Sequence, residues 1–434
     1  MVLRQVLALA LVVAVPVFSA AAVVRVPGDA PTIQAGIDAA AYGDTVMLAS
    51  GIYEENDILM RPGVWVMSET GDPSSVAVSG TDQGRVFHLD GCGGPCGLEG
   101  LTITRGFHPT LGGGVYMIWS SATFKNCLFT ENTSVHGSME SGNGAGLYVG
   151  CAALRLEDCG FADNYARHRA GAIYGSGSSV VCTGCVFDAN TAGASAGAIY
   201  WTGVDLLLLD CAFRGNHGVA GKGALYLYGN TCEIEVRRCW FEGNTTGGSA
   251  GALFARAVAS LLVEDSVFIG NQATYSASAI DFYNPAPYYL TGCTIVGNTG
   301  SLSTEALRAY EASAHIENTI IAFNSPGPSV DCEYGGSVLL SCSDVYGNSG
   351  GDWVGCIAAQ LGTEANFSAD PLFCDMANGD LSLDGTSLCA PANSPCGELV
   401  GALGVGCSSS SVSRTTWGRL KALYRQPGSA GQPN

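Results

Sequence analysis

Two short phrases recur along this 434-residue chain with the same step of about 26 residues. The first has the form Cys-x-Phe-x-x-Asn, as in CVFDAN at 185–190. The second, as in GAIY at 171–174 and 197–200, falls between the copies of the first. The asparagines that end the first phrase and its weaker copies are 32, 26, 26, 28, 27, 27, 26 and 24 residues apart: Asn132, Asn164, Asn190, Asn216, Asn244, Asn271, Asn298, Asn324 and Asn348. Two phrases that keep one step indicate a solenoid of stacked coils.

The length of the step selects the kind of solenoid. About 26 residues are too few for a helix pair or a propeller blade, and the leucine-rich signature is missing. The chain has 60 glycines and only 13% charged residues, which favours short strands and tight turns over long helices. We therefore predict an all-β fold, a single-stranded right-handed parallel β-helix with three short strands in each coil.

Strand alternation assigns the repeated residues to the inside or the outside of the coil. It places Cys185, Phe187 and Ile173 inside, and Ala172 and Tyr174 outside. The asparagines then form a ladder whose side-chain amides bond from coil to coil. One interior column holds six cysteines, which we expect to be mostly free thiols, and a linear dry column offers no tetrahedral metal site: Cys127, Cys159, Cys185, Cys211, Cys239 and Cys293.

The N-terminal end predicts export followed by a cap. Residues 1–22 are typical of a signal peptide, with Arg4, a short apolar run and small residues before Val23. We find no other stretch that is long and apolar enough to cross a membrane. Residues 31–41 predict an amphipathic helix that covers the open end of the coils. The first strand is expected within 43–56, and the whole β-helix, with this cap, over 23–364.

Near the C-terminus the repeat ends and the composition of the sequence changes. Residues 365–407 predict a small cap tied by disulfides among the cysteines at 374, 389, 396 and 407. Bridges from Cys332, Cys342 and Cys356, or between Cys92 and Cys96, are further options, because pairing cannot be read from sequence. Residues 408–434 form a Ser-rich linker and a basic tail. Its segment 415–425, TTWGRLKALYR, is either an attachment tail for an acidic surface or membrane, or a tail without a role.

The segment after the predicted signal peptide and the repeated phrases resemble those of a known protein family. TIQAGID at 32–38 followed by GDTVMLASGIYEEN at 43–56 resembles the opening of secreted bacterial β-helix proteins of the pectate-lyase-like type. The GAIY and CVFDAN phrases are similar to the repeats of chlamydial polymorphic outer-membrane proteins. The resemblance covers roughly residues 30–400. It implies the fold but no single activity, since the family includes lyases, hydrolases, esterases and adhesins.

The lyases of this family use acidic residues that hold calcium, together with a basic Arg or Lys. The nearest arrangement in this sequence is Asp281 and Arg308, which take the tyrosine position in consecutive coils, with Glu305 nearby. One acid beside one arginine is a poor calcium cage and is more simply an ion pair. These three residues are therefore weak catalytic candidates, and no cofactor is expected beyond a possible Ca²⁺.

A row of outward aromatic residues is the stronger candidate for binding. Alternation places one ring per coil on an exposed face, about 4.8 Å apart, where rings can stack on sugars or pack against a partner. The alternative is that the rings only stabilise the strands. We call these residues the aromatic row: Tyr116, Tyr148, Tyr174, Tyr200, Tyr226 and Phe254. The long turn at 133–143 is expected to lie beside the row and to contribute to specificity.

The net charge and the predicted export restrict the classes of molecule that this protein is expected to bind. The net charge of −19 disfavours nucleic acid, although acidity also serves solubility outside the cell. The sequence thus predicts a secreted or cell-surface, non-catalytic protein that binds a polysaccharide or another surface component. The alternative is a carbohydrate-active enzyme, a polysaccharide lyase or a glycoside hydrolase.

Overall fold

The computed structural model describes residues 21–94, 96–135, 141–301 and 304–407. Over these residues the chain winds into a right-handed parallel β-helix, which confirms the predicted fold class. Each central coil passes through four sheets, which we number in chain order, rather than through the three strands that we predicted. The extra strand is only two residues long and follows the ladder asparagine, where the sequence gives no separate strand signal.

The strands stack in register from coil to coil. Sheet 1 has 13 strands in the described residues: Val23–Val26, Thr45–Leu48, Trp65–Ser68, Cys96–Glu99, Ser121–Lys125, Ala153–Glu157, Ser179–Thr183, Asp205–Leu209, Glu233–Arg237, Ser260–Glu264, Pro287–Thr291, Ser313–Glu317 and Ser337–Ser341. Sheet 2 has 12: Gly51–Glu54, Val76–Ser79, Thr102–Thr104, Leu128–Thr130, Gly160–Ala162, Val186–Asp188, Ala212–Arg214, Trp240–Glu242, Val267–Ile269, Thr294–Val296, Ile320–Ala322 and Asp344–Tyr346.

The other two parallel sheets complete the coil. Within the described part, sheet 3 has seven strands: Thr133–Ser134, Tyr165–Ala166, Thr191–Ala192, His217–Gly218, Thr245–Thr246, Gln272–Ala273 and Thr299–Gly300. Sheet 4 has 11: Ile58–Leu59, Phe87–Asp90, Val115–Ile118, Leu147–Gly150, Ile173–Ser176, Ile199–Thr202, Leu225–Tyr228, Leu253–Arg256, Ile280–Tyr283, Leu307–Tyr310 and Val330–Glu333. Phe373–Asp375 and Asp380–Leu383 form an antiparallel pair outside the coils.

The interior follows the predicted columns. Cys185, Phe187 and Ile173 are buried, and the phenylalanines of the first phrase stack on each other with ring centroids 4.5 to 5.1 Å apart. All six column cysteines are buried free thiols, as expected. Ala172 is buried as well, which contradicts its predicted outward position. It lies in the turn before Ile173–Ser176, so the strand alternation does not yet apply to it.

The asparagine ladder is also confirmed. In each step the Nδ2 of one asparagine donates to the Oδ1 of the next, for example from Asn190 to Asn216 at 3.0 Å. The same Oδ1 accepts the backbone N–H of Asn190 at 3.1 Å. The ladder therefore satisfies backbone groups where the chain turns out of sheet 2 and cannot pair regularly.

Both ends of the solenoid are covered. The helix Ile33–Ala39 begins at Thr32, whose hydroxyl accepts from the N–H of Ala35, and it buries Ile33 and Ile37. The first strand is not in 43–56 but is Val23–Val26, which pairs with Thr45–Leu48 and so precedes the capping helix. At the other end, the 3₁₀ helix Gly355–Gln360 lies against the last strands of sheets 1 and 4. Two further 3₁₀ turns are Pro73–Ser75 and Met376–Asn378.

The C-terminal segment is tied by disulfides, but not all of its cysteines pair. The bridges are Cys332–Cys356, Cys342–Cys396 and Cys374–Cys407. Cys389 is a buried free thiol, and so are Cys92 and Cys96, which the sequence offered as a pair. The segment packs on the outer face of sheet 2, where Leu383 and Val400 contact Ile320. It thus covers the side of the last coils rather than only their open end.

Candidate functional site: the outer face of sheet 4

The aromatic row lies on the outer face of sheet 4, one ring per coil, as predicted. The strands pair Tyr116 with Tyr148 and continue through Tyr174, Tyr200 and Tyr226 to Phe254. His88 precedes Tyr116 in the same register. Asp281 and then Arg308 follow Phe254. The aromatic and the charged candidates are therefore parts of one column along the solenoid axis.

The rings of the row stack on each other. Centroids are 5.2 Å apart for Tyr116 and Tyr148 and 4.6 Å apart for Tyr200 and Tyr226, with nearly parallel planes. Tyr226 and Phe254 are tilted by 33°. Neighbouring strands hold equal rings at a spacing that suits stacking, so each ring covers the face of the next. Ring edges and hydroxyl groups, rather than ring faces, remain for other contacts.

The expectation of a fully exposed row is wrong. Tyr200 and Phe254 are only 6% and 4% exposed, and the other four rings are half-buried. Ala170 and Ala196, in the turns before sheet 4, pack against the row from the side. Burial raises the pKa of Tyr200 to about 12, so its hydroxyl stays protonated at neutral pH. The alternation predicted the direction of these rings, but the neighbouring turns determine how much water reaches them.

Cations lie against three rings of the row, and strand alternation did not predict them. The guanidinium carbon of Arg85 is 4.5 Å from the ring centroid of Tyr116, and that of Arg169 is 4.9 Å from Tyr200. The Lys222 ammonium is 4.1 Å from the Phe254 ring. Such distances are typical of cation–π contacts. HRAGAIY and GKGALY place a cation shortly before the second phrase, which was a readable signal in a chain so poor in Lys and Arg.

A second aromatic column lies beside the row in the C-terminal coils. Arg256 is 5.8 Å from the ring of Tyr228 and 5.3 Å from that of Tyr283. Tyr283 stacks on Tyr310 at 4.4 Å, and Tyr310 contacts Tyr334. In the amino-terminal coils the same column holds small residues such as Gly150 and Ser176. The outer face of sheet 4 is thus richest in rings and cations between residues 200 and 334.

Among the described residues, four cations of this face have no carboxylate within salt-bridge distance: Arg85, Arg169, Lys222 and Arg256. The outer face of sheet 1 differs, because there Lys125 pairs with Glu157 and Arg237 with Glu264. Burial lowers the pKa of Lys222 to about 8 and also lowers the pKa of Arg85. Arg85, Arg169 and Lys222 are half-buried and Arg256 is exposed, and cations that lack a carboxylate at salt-bridge distance are suited to an anionic ligand.

The weak catalytic candidates form an ion cluster. Arg308 donates to both carboxylate oxygens of the fully buried Asp281, at 2.8 and 3.1 Å, and it also reaches Glu333 at 3.2 Å. Glu305 lies 3.8 Å from Arg308 and accepts the N–H of Ala277 at 2.9 Å. The structure therefore brings all three candidates together, as the interpretation of an ion pair expects.

The protonation of this cluster is set by burial and charge. Burial raises the pKa of Glu305 to about 7. Burial alone would lower the pKa of Arg308, but its bonds to Asp281 outweigh that effect and raise it. Both oxygens of Asp281 are thus occupied by Arg308, which leaves a poor ligand set for Ca²⁺. No group of three His, Cys, Asp or Glu side chains that could hold a metal occurs among the described residues.

Two further predictions, for the turn at 133–143 and for the tail, fall wholly or partly outside the described residues. The turn at 133–143 lies partly outside the described residues, so its position beside the row stays a prediction. The tail 415–425 lies outside them entirely. In the described part of the chain, no helix has the length and apolar character needed to cross a bilayer.

Comparison with known proteins supports the fold. Residues 86–286, a little under half of the chain, match the family described as the right handed beta helix region. No curated protein matches the chain. Among solved structures it is similar to a mannuronic acid specific polysaccharide family 6 lyase from human gut microbiota, with 13% identity and a TM-score of 0.35 over 70% of this chain and 75% of that chain.

A second solved structure with a similar fold is the A-module of a mannuronan C-5 epimerase from Azotobacter vinelandii. Its identity is 12% and its TM-score is 0.22, over 78% of this chain and 94% of that chain. Likeness at this level concerns the fold and carries no information about activity.

Proposed function

We propose that this chain is a secreted, non-catalytic β-helix protein that binds an extended acidic polysaccharide along the outer face of sheet 4. The observation that carries the proposal is the set of four cations that contact rings instead of carboxylates: Arg85, Arg169, Lys222 and Arg256. In a chain of net charge −19, such a set on one face favours an anionic ligand.

The geometry suits a linear polymer better than a compact ligand. Arg85, Arg169 and Lys222 contact rings of the aromatic row, a column that extends over several coils, each coil adding about 4.8 Å. The stacked rings hold this column rigid, because every ring is fixed by the two beside it. The ligand would contact the ring edges and hydroxyl groups and pair its acidic groups with the cations.

The decisive test compares two double variants of equal charge change. Arg169→Ala with Lys222→Ala removes two cations of the face, and we expect affinity for acidic polysaccharides to fall about tenfold or more. Arg155→Ala with Arg238→Ala removes two cations that pair with acids elsewhere, and it should leave affinity unchanged. Titration calorimetry against a panel of acidic and neutral polysaccharides measures both. Equal losses in the two variants, or binding to neutral polymers alone, would contradict the proposal.

The pH dependence gives a second check on Lys222. Because its pKa is lowered to about 8, the ammonium loses its charge as the pH rises through that value. We therefore expect the affinity of the native chain to weaken between pH 7 and 9, on the order of a few-fold, and Lys222→Ala to remove that change. A native chain whose affinity is constant over this range would exclude Lys222 from the site.

Export is part of the proposal. Its support is the signal-peptide pattern of residues 1–22 together with a first strand that begins at Val23, directly after the predicted cleavage site. The three disulfides also suit an oxidising compartment. Sequencing the N-terminus of the native protein should give a start at Val23 in the exported fraction. An intact Met1 in the cell interior would be the contrary result.

A carbohydrate-active enzyme is the second candidate, because two groups on this face change protonation near neutral pH. These are Glu305, with a pKa of about 7, and Lys222, with a pKa of about 8. A screen for the release of unsaturated sugars, with and without calcium, tests it. Activity that disappears in Asp281→Ala and in the nearly isosteric Glu305→Gln would favour the enzyme over the binding protein.

A further inference from the structure

A groove of about 660 Å³ lies on the outer face of sheet 1, at its last three strands, on a different face of the coil from the aromatic row. Its floor is a column of side chains in strand register: Tyr289, His315 and Leu339. The Tyr289 and His315 rings stack at 5.5 Å. One wall consists of residues 360–364, of which Gln360 is held by two bonds to the last strand, at Leu340 N and Val338 O.

The groove combines exposed apolar surface with negative charge. Leu339 is 56% and Tyr289 45% exposed, although both belong to a regular strand face. Glu317 and Glu364 line the groove, and in the described residues neither carboxylate has a cation within salt-bridge distance. Earlier in the same column as Glu317, the carboxylate of Glu264 does pair, with Arg237 at 3.0 Å. The groove is therefore suited to a segment that is both cationic and apolar.

One such segment belongs to this chain. Residues 415–425, TTWGRLKALYR, carry three cations and no acid, and they also carry Trp417, Leu420 and Tyr424. Outside the C-terminal tail, no stretch of 11 residues in this sequence carries three Lys or Arg residues. The charges of this segment are opposite to those of Glu317 and Glu364.

The C-terminal part of the chain passes the groove region at Gly401, ahead of this segment. The N–H of Gly401 donates to the carbonyl of Asn318 at 2.7 Å, next to Glu317. The disulfide from Cys396 ends at Cys342, which directly follows the lining residue Ser341. The described chain ends at Cys407, which is bridged to Cys374, and the eight residues that follow it up to Thr415 extend at most about 26 Å.

We propose that the groove at Tyr289, His315 and Leu339 binds residues 415–425 of the same chain. Trp417 and the leucines would cover the exposed floor, and the cations would pair with the two glutamates. The tail is then held on the solenoid itself rather than on a membrane or a separate acidic surface. This inference is independent of the polysaccharide proposal, since it concerns another face of the coil.

Photo-crosslinking in the full chain tests the inference. A benzophenone amino acid is placed at Leu339 and, as the matched control, at Leu207, which lies in the same outer column five strands earlier. We expect peptide mapping to find links from position 339 to 415–425 within one chain and few from position 207. Links that join two chains, the absence of tail links, or equal yields at both positions would overturn the proposal.

Charge exchange separates specific docking from chance contact. Glu317→Lys with Glu364→Lys should lower the yield from position 339 by about fivefold, since two ion pairs are lost. Adding Arg419→Glu and Lys421→Glu should restore it. Yields that do not respond to either step would show that the carboxylates do not hold the tail. Circular dichroism of each variant verifies that the coils remain folded.

Discussion

Asn216 shows how much one ladder residue contributes. Its Nδ2 donates to Phe187 O and to Asn244 Oδ1, both at 2.9 Å, and its Oδ1 accepts two N–H groups of Asn190. Asn216→Ala leaves these partners buried and unsatisfied, and we expect the free energy of unfolding to fall by about 3 kcal/mol. Asn230→Ala, at an exposed turn, is the control and should change it little. Denaturant unfolding measures both, and equal effects would contradict the role of the ladder.

Asp344 makes stability depend on pH. It is fully buried under the C-terminal segment, accepts the N–H of Ala369 at 2.9 Å and lies 3.4 Å from the thiol of Cys389. Burial raises its pKa to about 7. The unfolded chain releases this proton near pH 4 and the folded chain only near pH 7. The group therefore stabilises the fold fully below about pH 4, and this contribution is lost as the pH rises to 7.

The corresponding variant is Asp344→Asn, which keeps the acceptor for Ala369 and cannot ionise. We expect it to be more stable than the native chain at pH 8, by up to about 4 kcal/mol, and nearly equal at pH 4. Glu305 has a raised pKa too and is present in both proteins, so the difference between them isolates Asp344. Thermal unfolding at both pH values is the measurement. A constant difference across pH would mean that Asp344 does not titrate in this range.

Trp201 shows why some residues escape prediction. It occupies an inward position that holds glycine in the preceding coil, and a Cβ on Gly175 would lie 1.9 Å from its indole. The repeat predicts that this position faces inward. It cannot predict that one large ring fills the space of two coils, because this packing occurs once and leaves no periodic signal. The ladders of Asn and Phe were predictable for the opposite reason, since they recur in every coil.

At the scale of the element, the aromatic row is first of all a structural feature. Tyr200 lies between Tyr174 and Tyr226, with ring centroids 5.3 and 4.6 Å away. Tyr200→Ala opens a gap in this stack, and we expect it to lower the free energy of unfolding by about 3 kcal/mol. Tyr200→Phe keeps the stack and should cost less than about 1 kcal/mol. Chemical unfolding measures the stability of the two variants. Equal stability of Tyr200→Ala and Tyr200→Phe would show that the ring stack does not stabilise the fold.

The same row explains what was missed at the candidate site. Strand period gives the side on which a ring lies, so all six row positions were predictable. Arg85, Arg169 and Lys222 lie in turns between strands, and a period of two says nothing about the path of a turn, whereas Arg256 ends the strand Leu253–Arg256. Asp281 and Arg308 were found because they interrupt the row at its own register. Strand register thus predicts departures from the repeat, whereas a cation in a turn is indicated only by its place shortly before the second phrase.

At the scale of the whole molecule, different interactions stabilise the two halves. The middle coils, from about residue 115 to 300, depend on ladders of Asn and Phe and on buried free thiols. All three disulfides lie between Cys332 and Cys407, where the repeat degrades and a separate segment packs on sheet 2. The bridge Cys342–Cys396 closes a loop of 54 residues. By the chain-entropy relation such a bridge contributes about 4 kcal/mol.

Reduction of the native protein should therefore loosen one end only. We expect a thiol reductant to increase hydrogen exchange in residues 373–405, by an order of magnitude or more, while the strands from Ile173 to Tyr228 keep their protection. The reason is that neighbouring coils support each other through local contacts, so the loss of one end need not propagate. Cys342→Ser with Cys396→Ser should reproduce much of the effect without reductant. Exchange that rises evenly along the chain would instead mean that the solenoid unfolds as one cooperative unit, stabilised as a whole by its C-terminal segment.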